Sequence, residues 1–141
     1  MASRITETKH ITSSYFGDIE ISPNNIFYFE NGMLGFDTLN NFVLISDDDI
    51  EPFKWLMALE EPEIMFPIIS PWLVEPNYKP ENLINIEKKV LFSVVTLDDG
   101  DGNITANMKA PIILDSVNLI GEQIILSSDK YSVNQIIQKH K

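Results

Sequence analysis

Eight short apolar runs separated by turn-forming residues predict an all-β protein, a small antiparallel barrel-like fold with one or two short helical segments. Three observations carry that expectation. The apolar positions alternate with period two far more often than with the 3.6 period of a helix. Turn residues recur at close, fairly regular spacing, as SPNN, ENG, SDDD, EEPE, SPW, EPNYKP, DDGDGN and NLIG. A 141-residue chain that is 44% hydrophobic and 10% aromatic can bury roughly 68 to 70% of its unfolded surface, enough for a true core.

Taken in order, the chain opens on MASRITETKHITSSYF, which is polar and has no apolar run of signal-peptide length. Strands are then expected in YFGDIEI (15–21), NIFYFE (25–30) and NFVLIS (41–46). In PFKWLMALE (52–60) Phe53, Trp55, Met57 and Leu59 alternate with Lys54, Leu56, Ala58 and Glu60, placing a large apolar series on one face. IMFPIIS (64–70) follows. KVLFSVVTL (89–97) is β-branched and nearly continuous, the pattern of a strand covered on both faces. APIILD (110–115) and EQIIL (122–126) complete the set. Helix is expected only as a turn or two in KPENLINIEKK after Pro80, and in the terminal SVNQIIQKHK, where Val133, Ile136 and Ile137 have helical spacing. No repeat or linker divides the chain, so residues 1–141 are expected to form one monomeric domain, with the polar amino terminus and the tail from about 132 as its looser ends.

The loop FENGMLGF, Phe29 to Phe36, holds two of the six glycines. A phosphate cradle needs further glycines, a following helix and often a lysine, and GMLGF leads instead into a strand. Asn31-Gly32 is a favoured hairpin dipeptide, and Gly35 permits a second bend that lets Phe29 and Phe36 point inward. Met33 and Leu34 are then the loop residues expected to meet a partner. In DDGDGN, Asp99, Asp101 and Asn103 take the first three ligand spacings of a calcium loop, but Ile104 and Ala110 occupy the places of its glycine and glutamate. That run and SDDDIEP read as solvated connections. The two histidines, His10 and His140, lie near the termini, and no nucleophile elbow or metal-grade spacing is present, so no cofactor or enzyme activity is expected.

Charge is lopsided, with 21 acidic against 10 basic side chains, net −11, and a single arginine, Arg4. Such a balance argues against direct nucleic-acid binding and against attraction to an anionic membrane. It reads as solubility in a crowded or salty cytoplasm or, more sharply, as a surface that steers a basic protein partner. The absence of cysteine excludes disulfides and thiolate chemistry, and no segment approaches ~18 uninterrupted apolar residues. The cytoplasm is the expected location.

An ordered set of residues narrows the reading. It comprises Tyr15-Phe16-Gly17, Phe29-x-x-Gly32-x-x-Gly35-Phe36, Pro52-Phe53-x-Trp55-Leu56 and Glu61-Pro62-x-Ile64-x-Phe66. Tyr78, Thr105-Ala106-Asn107-x-x-Ala110-Pro111-Ile112, Gln123-x-Ile125-Leu126 and Tyr131 continue it. In these the chain resembles the FliW family of flagellar assembly factors over about residues 8–131. Leu34 stands where that family often has proline, and Met57-Ala58 where it often has Gln-Ser. The resemblance implies a cytoplasmic, non-enzymatic regulator with a barrel-like β fold. It would bind flagellin and, alternatively, the RNA-binding repressor CsrA, so that flagellin synthesis is coupled to export. On that reading Asp47, Asp48, Asp49 and Glu51, with Asp98, Asp99 and Asp101, supply part of the field that meets a basic partner. Two other classes stay open on the residues alone. One is a small-molecule barrel with Trp55 and Phe92 lining a cavity, and the other is a hydrolase using paired carboxylates.

Overall fold

A computed structural model of the chain describes residues 3–81 and 88–137. It is built from eleven strands, β1 (Lys9–Ser13), β2 (Gly17–Ile21), β3 (Ile26–Tyr28), β4 (Asn41–Ser46), β5 (Lys54–Ala58), β6 (Met65–Ile69), β7 (Val90–Thr96), β8 (Thr105–Ala106), β9 (Ile112–Asp115), β10 (Ile120–Gln123) and β11 (Gln135–Ile136). One short helix, α1 (Pro71–Val74), joins them.

Strands β3 to β7 form a meander, β10 adds parallel to β3 (Ile120 opposite Tyr28), and β9 pairs with both β10 and β7. The last pairing closes a seven-stranded barrel. Strand β7 makes this possible by dividing one edge between two partners: Val90–Phe92 pair with β9, and Val95–Thr96 with β8. Its other edge pairs with β6 through Ser93 and Val94.

Alternation then sends one residue set inward. Phe27, Phe42, Leu56, Ala58, Ile68, Phe92, Ile112 and Leu114, with Phe29, Met33 and Leu39 from the β3–β4 connection, fill the barrel. Phe29 and Phe42 meet edge to face at 4.9 Å, a favoured aromatic geometry. The outer wall is apolar as well and carries two covers. The β1–β2 hairpin lies over Ile26, Val43 and Met57. Tyr78 and the carboxyl-terminal segment lie over Leu91, Ala106 and Ile113. This double-sided burial explains why KVLFSVVTL is nearly continuous in apolar residues, with Leu91, Phe92, Ser93 and Val95 all buried.

Several expectations need correction. Lys9–Ser13 is a paired strand because Ile11 and Ile19 pack on the wall. Tyr15 and Phe16 sit in the turn between β1 and β2, so that strand starts at Gly17. The last barrel strand lies at Ile120–Gln123, earlier than EQIIL suggested, while Ile124 and Leu126 donate backbone N–H bonds to Pro111 and Lys109. The helical spacing in the tail does not produce a helix, because Gln135–Ile136 pair with β8 and Ile137 packs on the second cluster. The expected helix in KPENLINIEKK falls on residues 82–87, outside the described residues. The apolar face of PFKWLMALE is also not the barrel lining: Leu56 and Ala58 point in, whereas Trp55 and Met57 face the hairpin cover. Neither tryptophan is fully buried, since Trp55 is half-buried and Trp72 exposed.

The FENGMLGF loop makes two successive reversals. Gly32 N–H donates to Phe29 O at 3.1 Å, and Met33 and Phe36 then exchange both backbone bonds (3.2 and 2.7 Å) around Leu34-Gly35. Gly32 (φ 66°) and Gly35 (φ 82°) have left-handed backbones, while Asn31 does not. Only Gly32 is also hemmed in, since a Cβ there would lie 2.3 Å from the Phe36 carbonyl oxygen. The expected outcomes differ accordingly. Gly35→Ala should cost about 1–2 kcal/mol for the left-handed conformation, and Gly32→Ala clearly more, as read by chemical denaturation. Equal costs would contradict the packing described.

Candidate functional site

Because strands alternate in direction, each connection falls at a defined end of the barrel. The β4–β5 connection, residues 47–53, lies at one end. The β3–β4, β5–β6 and β7–β8 connections, residues 29–40, 59–64 and 97–104, lie at the other. These last three contribute Glu30, Asp37, Glu60, Glu61, Glu63, Asp98, Asp99 and Asp101, and no lysine or arginine. Exposed Leu34 and Leu97 stand among them, each about half accessible (50% and 54%). An acidic end with two projecting aliphatic side chains suits a protein partner that is basic around an apolar contact.

Buried polar chemistry holds this end in shape. Asn40 and Asn41 are both fully buried. Asn40 Nδ2 donates to the carbonyls of Phe29 (2.7 Å) and Glu30 (3.2 Å), tying the glycine loop to β4. Asn41 Nδ2 donates to Glu60 Oε2 (2.7 Å) and Ser3 O (2.9 Å), and its Oδ1 accepts from Ile5 N–H (3.0 Å). Glu60 also accepts from the Asn40 and Asn41 backbone amides. The Asn41 side chain thus joins three chain segments, the amino-terminal residues, the start of β4 and the β5–β6 connection.

A second tie runs through Gln123. Its Oε1 accepts from Leu34 N–H at 2.9 Å, and its Nε2 donates to Ala110 O at 3.0 Å. It joins the glycine loop to the Thr105-to-Pro111 stretch, where β8 and β9, both on the same edge of β7, are interrupted. Asn107 turns that interruption by accepting at Oδ1 from Lys109 and Ala110 N–H (3.1 and 3.0 Å). Thr105, Ala106 and Pro111 are buried beside it. The residues of these motifs therefore act on the frame.

The acidic clusters divide. Asp47 to Glu51 lie at the opposite end from Asp98 to Asp101, so the two do not form one patch. Asp47 accepts from Asp49 N–H and starts a 3-10 turn. Asp98 accepts from Gly100 and Gly102 N–H, and Asp99 from Asp101 (2.8 Å) and Asn103 (3.1 Å). Those backbone donors, chiefly Asp101 and then Asn103, hold the Asp99 carboxyl below the usual range. The carboxylates of Asp48, Asp49, Glu51 and Asp101 make no such bond among the described residues. Of the two loop residues expected at the surface, Leu34 is exposed, but Met33 is 3% accessible and belongs to the core. Reversal at Leu34-Gly35 turns the side chain before it inward.

The barrel interior is filled by side chains, and Trp55 lies outside it, so Trp55 and Phe92 do not line a common cavity. An open cleft of about 450 Å³ lies on the outer wall over β10, between Arg4, Lys89 and Asp115. Among the described residues no cluster of three or more His, Asp or Glu side chains could hold a metal ion. No helix among them is long and apolar enough to cross a membrane.

Comparison with known proteins agrees with this frame. The family model described as FliW protein matches residues 9–137. The chain belongs to the FliW family. It is 38% identical over 137 residues to the flagellar assembly factor FliW of Thermoanaerobacter pseudethanolicus, covering 90% of this chain and 91% of that one. It is 36% identical to the FliW of Clostridium botulinum strain 657 (93% and 98% covered) and 33% identical to that of Bdellovibrio bacteriovorus (90% and 78%). A crystal structure of the flagellar assembly factor FliW superposes with TM-score 0.83 at 28% identity, over 94% of this chain and 99% of that one. The family match makes a flagellar assembly factor the established class of this chain.

Two outcomes test the frame. Asn41→Ala should lower stability by more than about 2 kcal/mol, since it strands buried donors and acceptors, measured by urea unfolding. Tyr78 is buried, donates to Met108 O at 2.8 Å, and is pushed up to about 12, by desolvation first and by Tyr131 second. A raised folded value means that the unfolded chain loses its proton first. The stabilisation is complete below pH 10 and disappears as pH rises to about 12. Tyr78→Phe should flatten that part of the stability profile, and an unchanged profile would count against this assignment.

Proposed function

We propose that this FliW-family chain is a cytoplasmic regulator that binds flagellin and, alternatively, a CsrA-type RNA-binding repressor, relieving repression when flagellin is scarce. The observation that carries the reading is the family match across residues 9–137. The surface chemistry supports it. A repressor that holds RNA must present basic groups, and the connections at 29–40, 59–64 and 97–104 carry eight carboxylates and no lysine or arginine of their own, with Arg4 and Lys89 sharing a cleft with Glu30. The same field repels RNA from the adjoining surface. Leu34 and Leu97 supply apolar contact within it.

The chain acts here as one monomeric domain, and the barrel contributes rigidity. Asp37, Glu61 and Asp101 are the steering residues best suited to this role, being exposed at that end. Asp98 and Asp99 shape their own loop and contribute charge from fixed positions.

Flagellin and a CsrA-type protein should both be recovered with the tagged chain from motile cells. Stopped-flow association of purified CsrA-type protein then separates steering from contact. The triple variant Asp37→Asn, Glu61→Gln, Asp101→Asn should associate several-fold more slowly at low salt and with a flatter salt dependence. Neutralising Asp48, Asp49 and Glu51 at the far end should change the rate less. An unaltered rate in the first variant would remove the acidic end from the account.

A further inference from the structure

The open side of β8 is occupied by a strap from the chain's own carboxyl-terminal region, and the way it is held differs from the rest of the sheet. At its root the strap is anchored by Glu81, which accepts from the Ser127 hydroxyl and from Ser128 N–H (3.0 Å). Beyond that point its attachments thin out. Strand β11 is two residues long, pairs only with β8, and both of its side chains are exposed. Lys109 meets Asp129 at 3.2 Å, an ion pair whose acid is fully exposed and so worth little. Among the described residues the remaining ties are Met108 N–H to Ser132 O, Ile137 N–H to Ile104 O, and Lys79 N–H to the Tyr131 hydroxyl.

What lies beneath is more complete than what covers it. Leu91, Ala106, Met108 and Ile113 form a buried apolar face, and Tyr78 presents its ring edge to Tyr131 at 4.6 Å. Among the described residues of the strap, Tyr131 and Ile137 reach this face, and each is half-buried. A strand edge accepts a foreign strand once its own cover opens, and locally weak elements open at low cost. The strap shows which chemistry the face accepts: an extended chain antiparallel to β8, with an aromatic side chain over Tyr78 and an aliphatic one six residues later, as from 131 to 137.

We propose that the β8 edge, with the apolar face beside it, is a docking site for an extended segment of another protein that carries this aromatic-to-aliphatic spacing, and that the strap occupies the site until displaced. The site lies on the flank of the barrel and acts independently of charge steering at the acidic end. Because the strap is tethered, it competes at an effective concentration on the order of millimolar. A partner succeeds by adding backbone pairs beyond the two-residue ladder of β11.

The chain has no cysteine, so a reversible lock can be installed without interference. Gln135 and Ala106 are direct antiparallel partners, and such pairs lie within disulfide reach. In full-length protein carrying Ala106→Cys and Gln135→Cys, a fluorescent peptide with the sequence of residues 129–137 should bind the reduced form at least ten-fold more tightly than the oxidised form. Reductant should restore binding. In the full chain without the cysteines, Tyr131→Ala should raise peptide affinity by a similar factor, because it weakens only the competing strap. Equal binding in both redox states, or none in either reduced variant, overturns the proposal. A reduced protein that elutes as a strap-exchanged dimer also overturns it, since the face would then belong to a second copy of this chain.

Discussion

The divided edge of β7 is the constraint on which the rest of the structure depends. By pairing with β9 over Val90–Phe92 and with β8 over Val95–Thr96, one strand both closes the barrel and starts a short extension away from it. Closure removes the sheet edges that would otherwise invite aggregation and sets the volume that Phe27, Phe29, Phe42, Phe92 and their aliphatic neighbours must fill. Extension leaves a second edge that the chain covers with its own terminal segment. An apolar outer wall then follows from packing covers on both flanks, and little of the molecule's hydrophobic material remains to line a ligand cavity.

A filled barrel assigns function to its surface. The two ends are chemically unequal because three alternate connections of the meander, β3–β4, β5–β6 and β7–β8, deliver carboxylates to the same one. Holding so much like charge together costs energy in self-repulsion, and the structure offsets part of it by using acids as hydrogen-bond acceptors. Glu60 receives the Asn40 and Asn41 amides, Glu63 the Ser14 hydroxyl, and Asp98 and Asp99 the amides of their own loop. Some carboxylates at this end thus hold the backbone while others, Asp37, Glu61 and Asp101, are exposed.

Much of the frame was legible because it is local. Alternation and turn spacing located β2 to β7 and β9, and in the Phe29-to-Phe36 stretch Gly32 and Gly35, though not Asn31, take the left-handed backbone. What escaped was non-local or short. Lys9–Ser13 reads as polar, and only pairing with Gly17–Ile21 over the wall makes it a strand. Thr105–Ala106 and Gln135–Ile136 are too short to show a period, so the tail's helical spacing misled. Met33 faced inward because the bend at Leu34-Gly35 set its direction, which no pattern of apolar residues reveals. Glu30, Asp37 and Glu60 to Glu63 were overlooked as a group, since nothing in a linear sequence places them beside Asp98 to Asp101 until strand directions are known. The paired asparagines carried a signal that could have been used: two adjacent amides at the start of an apolar strand need buried partners.

The central claim is that one rigid, filled barrel exchanges protein partners at its surface. Calorimetric titration of flagellin into a preformed complex of this chain with a CsrA-type repressor tests it most directly. The account predicts that flagellin binds and that the repressor is released in step, recovered free and able to hold RNA. A repressor that remains bound to the chain at saturating flagellin, or a chain that binds neither protein, would contradict it.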